Sequence, residues 1–245
     1  MVPSFLLRKV RLIRNGIDTA HFHPGDRAAA RRAFELPADA PLVGMVAHVV
    51  PWKRHGFFLD VAAVIHRARP DVRFVIAGRD LFHDHPRLRA KLEAQIASTG
   101  LSGTITWVRE LDDVAPLLPA LDVLMHPAAS EPFGRALCEA MAAGIPVVAA
   151  NSAGPSCIVP NGQAGYLVPP GDAEIFARQT LRLLNNPENA HAMGVAARQH
   201  VVTNFDIART AAEMQALYTE ILGQIAREQR RRAEDAVRRR RDDDD

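Results

Sequence analysis

The sequence predicts an α/β fold: a Rossmann-like parallel sheet of about six strands with helices on both faces. Short apolar runs recur along the chain and alternate with stretches of helical periodicity. The charged residues and glycines that stand out fall just after those runs. In open parallel sheets that edge is where ligands bind.

The elements follow in order. Residues 10–13 (Val-Arg-Leu-Ile) are expected to form a first short strand, and Asn15-Gly16 a turn, since both residues tolerate positive φ. Pro24-Gly25-Asp26 marks a break, and 27–35 a short surface helix. Residues 42–48 form an apolar run fit for a strand buried on both faces. Phe58, Val61, Ala62 and Ile65 then lie at helical spacing within 55–68. Further strands are expected at 72–77, 104–108, 122–126, 145–150 and 165–168. Helices are expected at 86–98, from Asp112-Asp113 to near Leu121, at 133–143, and at about 172–184, 187–202 and 206–225. This divides the chain into a linker-like segment (1–26), one α/β domain (27–225) and a charged, disordered tail (226–245).

Composition excludes several classes. The 245 residues are 48% hydrophobic and 24% charged, with net charge +2, which suits a soluble globular chain. Cys138 and Cys157 lie in no metal-like spacing, and two thiols are too few for a disulfide scaffold. No apolar run approaches the roughly 20 residues of a membrane span, and the N-terminus lacks signal-peptide features. A cytoplasmic protein is expected, with peripheral contact at the inner face of the membrane allowed. The arginine-rich tail ends in four aspartates and interleaves no aromatics, so no nucleic-acid partner is expected.

The loops after the strands carry the chemistry. His48 to His55 follows the 42–48 run and contains Lys53, in a chain whose only other lysines are Lys9 and Lys91. Gly78-Arg79-Asp80 follows the next strand. Pro127 to Gly134 follows 122–126 and leads into a helix at Phe133-Gly134-Arg135. Asn151 to Ser156 follows the fifth apolar run. Amides in the first turn of a helix have no internal partner, and Gly134 admits a ligand close to the backbone. With an ammonium nearby they make a phosphate site. Glu131 just before this helix, and Glu139 inside it, suggest hydroxyl partners on the same ligand. Singly, each residue has a plainer reading: Glu131 as a helix cap, Lys53 as a solvated lysine, His48 as a structural histidine, Glu139 as a surface acid. Their convergence on one edge favours a ligand with both a diphosphate and a sugar. His83-Asp84-His85 is the nearest metal-like cluster, but three adjacent residues do not converge on an ion, so no metal is expected. A dinucleotide enzyme would carry Gly-x-Gly-x-x-Gly after an early strand; His48 to His55 has none.

The run from Glu131-Pro-Phe-Gly-Arg-Ala-Leu-Cys-Glu139 to Gly144-Ile-Pro146-Val-Val resembles the signature of retaining GT-B glycosyltransferases of family 4, the glycosyl transferases group 1. The resemblance extends over roughly residues 10–222, including Asn15-Gly-Ile-Asp18, the Lys53 loop and Asn161-Gly-x-x-Gly165-Tyr-Leu-Val-Pro. It implies that Glu131 contacts donor-sugar hydroxyls and Glu139 the nucleotide ribose. It implies that amides around Phe133, Gly134 and Arg135 hold the diphosphate, with Lys53 and His48 beside it. Glu131 and Lys53 would then be the catalytic residues, acting on a nucleotide-sugar donor with retention of configuration and without a cofactor or metal. The chain departs from the family's usual pattern at His48, where Arg is frequent, at Ala153-Gly154 and Cys157, and at Arg109. The resemblance further implies a separate N-terminal acceptor-binding domain. The alternative is a non-catalytic nucleotide-sugar-binding module or truncated fragment.

Overall fold

The computed structural model describes residues 10–79, 85–108 and 111–242. It divides into two compact units, Ile17–Phe205 and a second made of the segments up to Gly16 and from Asp206.

The larger unit is a six-stranded, wholly parallel sheet in the order β3-β2-β1-β4-β5-β6. The strands are β1 (Leu42–Val46), β2 (Arg73–Ala77), β3 (Ile105–Val108), β4 (Val123–His126), β5 (Val147–Ala150) and β6 (Gly165–Val168). Its helices are α1 (Arg27–Ala33), α2 (His55–Ala68), α3 (Pro86–Ser98), α4 (Arg135–Ala142), α5 (Ala153–Ile158), α6 (Ala173–Leu184) and α7 (Pro187–Asn204). Chain order reverses between β1 and β4, which pair through Val43↔Val123 and Gly44↔Leu124. A crevice opens beyond the carboxyl ends of the strands at such a switch point.

Two apolar layers hold the sheet. Leu124 of β4 packs with Leu137, Ala140 and Met141 of α4 and Val201 near the end of α7. Val123 and Met125, pointing the other way, pack with Phe58, Leu59 and Ile65 of α2 and Phe176 of α6. Each fully buried side chain of this size contributes about 1.5–3 kcal/mol. The segment read as linker enters the core as well: Ile17 and Phe22 are buried, and the Ile17 amide donates to the Phe205 carbonyl at 2.9 Å. The compact unit therefore starts earlier than residue 27 and closes at Phe205, before residue 225.

Other expectations are corrected. Residues 10–13 form no strand. Neither Asn15 nor Gly16 has positive φ. Gly16 instead permits close packing in the second unit, where a Cβ would lie 2.7 Å from the Cα of Ile207. Asp112-Asp113 begin no α-helix. Asp113 caps a turn by accepting from the Ala115 amide at 3.0 Å, and only a 3-10 turn forms at Leu118–Ala120. Pro116 and Pro119 explain this, because each removes an amide that a continuing helix needs. Conversely, α5 stands where a loop was expected. Its Pro155 sits in the first helical turn, where the missing amide would have no partner.

The second unit is built on α8 (Ile207–Asp242). Asp206 accepts from the Ala208 amide at 2.8 Å, and Thr210 donates to the Arg14 carbonyl at 2.9 Å. Residues 226–242, read from sequence as a disordered tail, continue this helix. No described helix is long and apolar enough to cross a membrane.

One polar node ties the amino-terminal edge of the sheet. Arg31, 1% exposed, donates to the carbonyls of Pro37, Ala38, Ala40 and Ala120 and to Asp122 Oδ2 at 3.0 Å. The same oxygen accepts from the Leu42 amide at 2.7 Å, linking the starts of β1 and β4. Arg31→Met should lower the unfolding free energy by about 3 kcal/mol in denaturant titration, because four carbonyls lose this donor and Asp122 keeps only the Leu42 amide and Arg27. Arg27→Ala, which removes the half-exposed partner of Asp122 Oδ1, should cost less than about 1 kcal/mol.

Candidate functional site

The β1 and β4 loops flank the switch point, and their polar side chains meet there. After β1 the chain passes His48 and a 3-10 turn (Pro51–Lys53), then reaches Arg54, which holds the left-handed conformation at φ 60°. This turn directs Lys53 across the crevice. Its Nζ lies 2.5 Å from Glu131 Oε2 and 4.0 Å from the Trp52 ring centroid. His126, the last residue of β4, reaches the same oxygen with Nε2 at 3.0 Å. Glu131 is 6% exposed. Burial acts to raise its pKa, yet hydrogen bonds and charge from His126 and Lys53 prevail and hold it at about 2. Among the described residues, only Oε2 of this carboxylate is engaged; Oε1 makes no hydrogen bond.

The loop then turns into α4 at Gly134, whose φ of 108° suits glycine. The turn leaves the amides of Phe133, Gly134 and Arg135 without a protein acceptor among the described residues. Phe133 itself packs inward, its ring 6.1 Å from that of Phe205. The loop is braced from behind by α5. The Gly154 amide donates to the Glu131 carbonyl at 2.9 Å, and a Cβ at 154 would stand 2.2 Å from the Phe133 carbonyl oxygen. Only glycine allows that approach.

Glu139 lies on the first turns of α4 and is 8% exposed. Burial raises its pKa, partly offset by Arg135, whose Nη2 lies 3.3 Å from Oε1. Arg135 is otherwise exposed, 71% of its side chain facing solvent. His48 is exposed at the mouth, and partial burial with the positive charges of Lys53 and Arg79 lowers its pKa. The shift favours the neutral ring.

Lys53, Glu131 and the amides of Phe133, Gly134 and Arg135 thus share one edge, with Glu139 following on α4 and His48 nearby. Sequence reasoning missed His126 and the bracing role of Gly154. The signal for His126 was there: a lone polar residue ending an otherwise apolar strand, five positions before Glu131. No group of three or more His, Cys, Asp or Glu able to hold a metal occurs among the described residues. Asp80, His83, Asp84 and Arg109, raised by sequence reading, lie outside them.

The site can take an anion and hydroxyls side by side. Unpaired amides at a helix start and one ammonium suit a phosphate. Two buried carboxylates suit sugar or ribose hydroxyls.

Comparison with known proteins shows the family and the fold. The family described as "Glycosyl transferases group 1" matches residues 26–200. A D-inositol 3-phosphate glycosyltransferase of Thermobispora bispora is 31% identical over 89% of this chain and 52% of its own length. The Anabaena protein HepE, solved in complex with UDP and glucose, is 26% identical and superposes with a TM-score of 0.79 over 85% of this chain and 56% of its own. The C-terminal domain of a group 1 family protein from Francisella tularensis matches this fold over 78% of this chain and 100% of its own, with a TM-score of 0.71 at 23% identity. The chain spans about half the length of the curated relatives it matches.

The two acids should oppose each other in stability. Glu131 is held ionised in the folded state, so its contribution is full above pH 4.5 and lost as pH falls towards 2. Glu131→Gln should shrink the acid-induced drop in unfolding free energy across that window by a few kcal/mol. Glu139 has a raised pKa, so its charge costs stability at neutral pH. Glu139→Gln should raise the ligand-free Tm by a few degrees, measured at pH 7.5 by calorimetry.

Proposed function

The chain belongs to the glycosyl transferases group 1 family, and on that premise we propose that it is the donor-binding half of a retaining, metal-independent glycosyltransferase. It takes a sugar from a nucleoside-diphosphate sugar and passes it to an acceptor. The carrying observation is the meeting of Lys53, the free amides of Phe133, Gly134 and Arg135, and buried Glu131 at one sheet edge. The UDP and glucose bound by the Anabaena relative support the choice of ligand.

In this reading the diphosphate lies on the three amides and beside Lys53. As the bond from the anomeric carbon to the diphosphate oxygen breaks, negative charge grows on the leaving group. Fixed donors aimed at that charge lower the barrier. A cation already supplied by the protein is the reason no metal is needed. Glu131 Oε1 accepts from donor-sugar hydroxyls, and Glu139 from the ribose. The donor must also draw Lys53 towards the diphosphate and so loosen its grip on Glu131.

In this reading the acceptor is bound by residues outside the half of the relatives' length that this chain spans. Cys138 and Cys157 are both free. That suits a reducing cytoplasm, with any membrane contact peripheral.

Calorimetric titration without metal tests the reading. One of UDP, GDP or ADP should bind, and Lys53→Ala and Glu139→Ala should each weaken it about tenfold or more. Binding to none of the three, or binding indifferent to both variants, would contradict it. His48→Arg should tighten the same nucleotide by up to about tenfold, because a permanent guanidinium replaces a neutral ring beside the phosphates.

A further inference from the structure

Lys53 has two claimants, which raises the question of what holds Glu131 once a ligand takes the ammonium. His126 is the other donor to that carboxylate. It is 2% exposed, ends β4, and pairs in register with Ala149 of β5. A ring fixed by two strands and closed to solvent is a partner that an incoming anion does not displace. Its Nδ1 is buried with no hydrogen-bond partner among the described residues. The ring's one polar contact there is Nε2 to Glu131 Oε2 at 3.0 Å. Because a carboxylate can only accept, Nε2 must carry the proton.

Resting on the donor-site reading above, we propose that His126 is a positioning residue: it anchors Oε2 of Glu131 so that Oε1 stays turned to the donor sugar while Lys53 serves the diphosphate. His126 itself touches no substrate. It governs how strongly the sugar, as distinct from the nucleotide, is recognised.

The experiment compares UDP with UDP-glucose, and likewise GDP with GDP-mannose and ADP with ADP-glucose, by titration calorimetry on the full chain. For the pair that binds, the nucleotide-sugar to nucleotide affinity ratio should fall about tenfold in His126→Leu, while affinity for the nucleotide alone stays within about twofold. His126→Gln, whose amide nitrogen approximates Nε2, should restore the ratio to within about threefold of the unaltered chain. An unchanged ratio in His126→Leu overturns the inference and leaves the donor reading standing. A loss of nucleotide affinity equal to the loss of nucleotide-sugar affinity also overturns it, since that is general damage to the site. Failure of every nucleotide to bind the unaltered chain overturns the donor reading and this inference with it. Nitrogen NMR of the unaltered chain gives a check that no variant's folding can spoil. His126 should be protonated at Nε2; a proton on Nδ1 alone overturns the inference.

Discussion

A single buried oxygen, Oε2 of Glu131, organises the carboxyl edge of this sheet. It receives Lys53 from the β1 loop and His126 from the end of β4. Those two strands are neighbours only because the sheet reverses its order between them. The topology thus brings the two donors together, and the carboxylate between them fixes the loop that opens α4. An ionised carboxylate at 6% exposure would be strongly unfavourable without such partners. With both in place it stays charged even in acid, which keeps it an acceptor under all ordinary conditions.

The loop is held from both sides. Glu131 is fastened in front by side chains and behind by the backbone of α5, where Gly154 meets the carbonyls of Glu131 and Phe133. Little freedom remains in the amides beyond it. Rigid, unpaired donors cost no reorganisation when a charged ligand arrives. Glu139 shows the opposite balance: burial raises its pKa, with only partial relief from Arg135. Its charge therefore costs the ligand-free fold stability, which a hydroxyl donor on a bound ligand would offset.

Much of this was legible in the sequence. The central strands were readable because they are buried on both faces and so appear as unbroken apolar runs, as in Val147–Ala150. Lys53 and Glu131 stood out as charges in loops just past such runs, and Glu139 as an acid inside the apolar helix that follows. The failures have definite physical causes. Asn151 to Ser156 reads only as a loop, yet Gly154 and Pro155 both fall in a first helical turn, where no intrahelical donor is required. Asp112-Asp113 look like a helix start, but Pro116 and Pro119 keep a regular helix from forming after them. His126 was absorbed into its strand, because its role depends on a contact made only when the chain turns back at Glu131.

If the start of α4 is a phosphate cradle governed by the Glu131 node, its amides should report the ligand first. The most direct test is a backbone-amide NMR titration of the chain with the nucleoside diphosphate that it binds. The amides of Phe133, Gly134 and Arg135 should shift most, saturating together with signals of the Lys53 loop. Shifts centred elsewhere on the sheet, with those three amides unmoved, would contradict it.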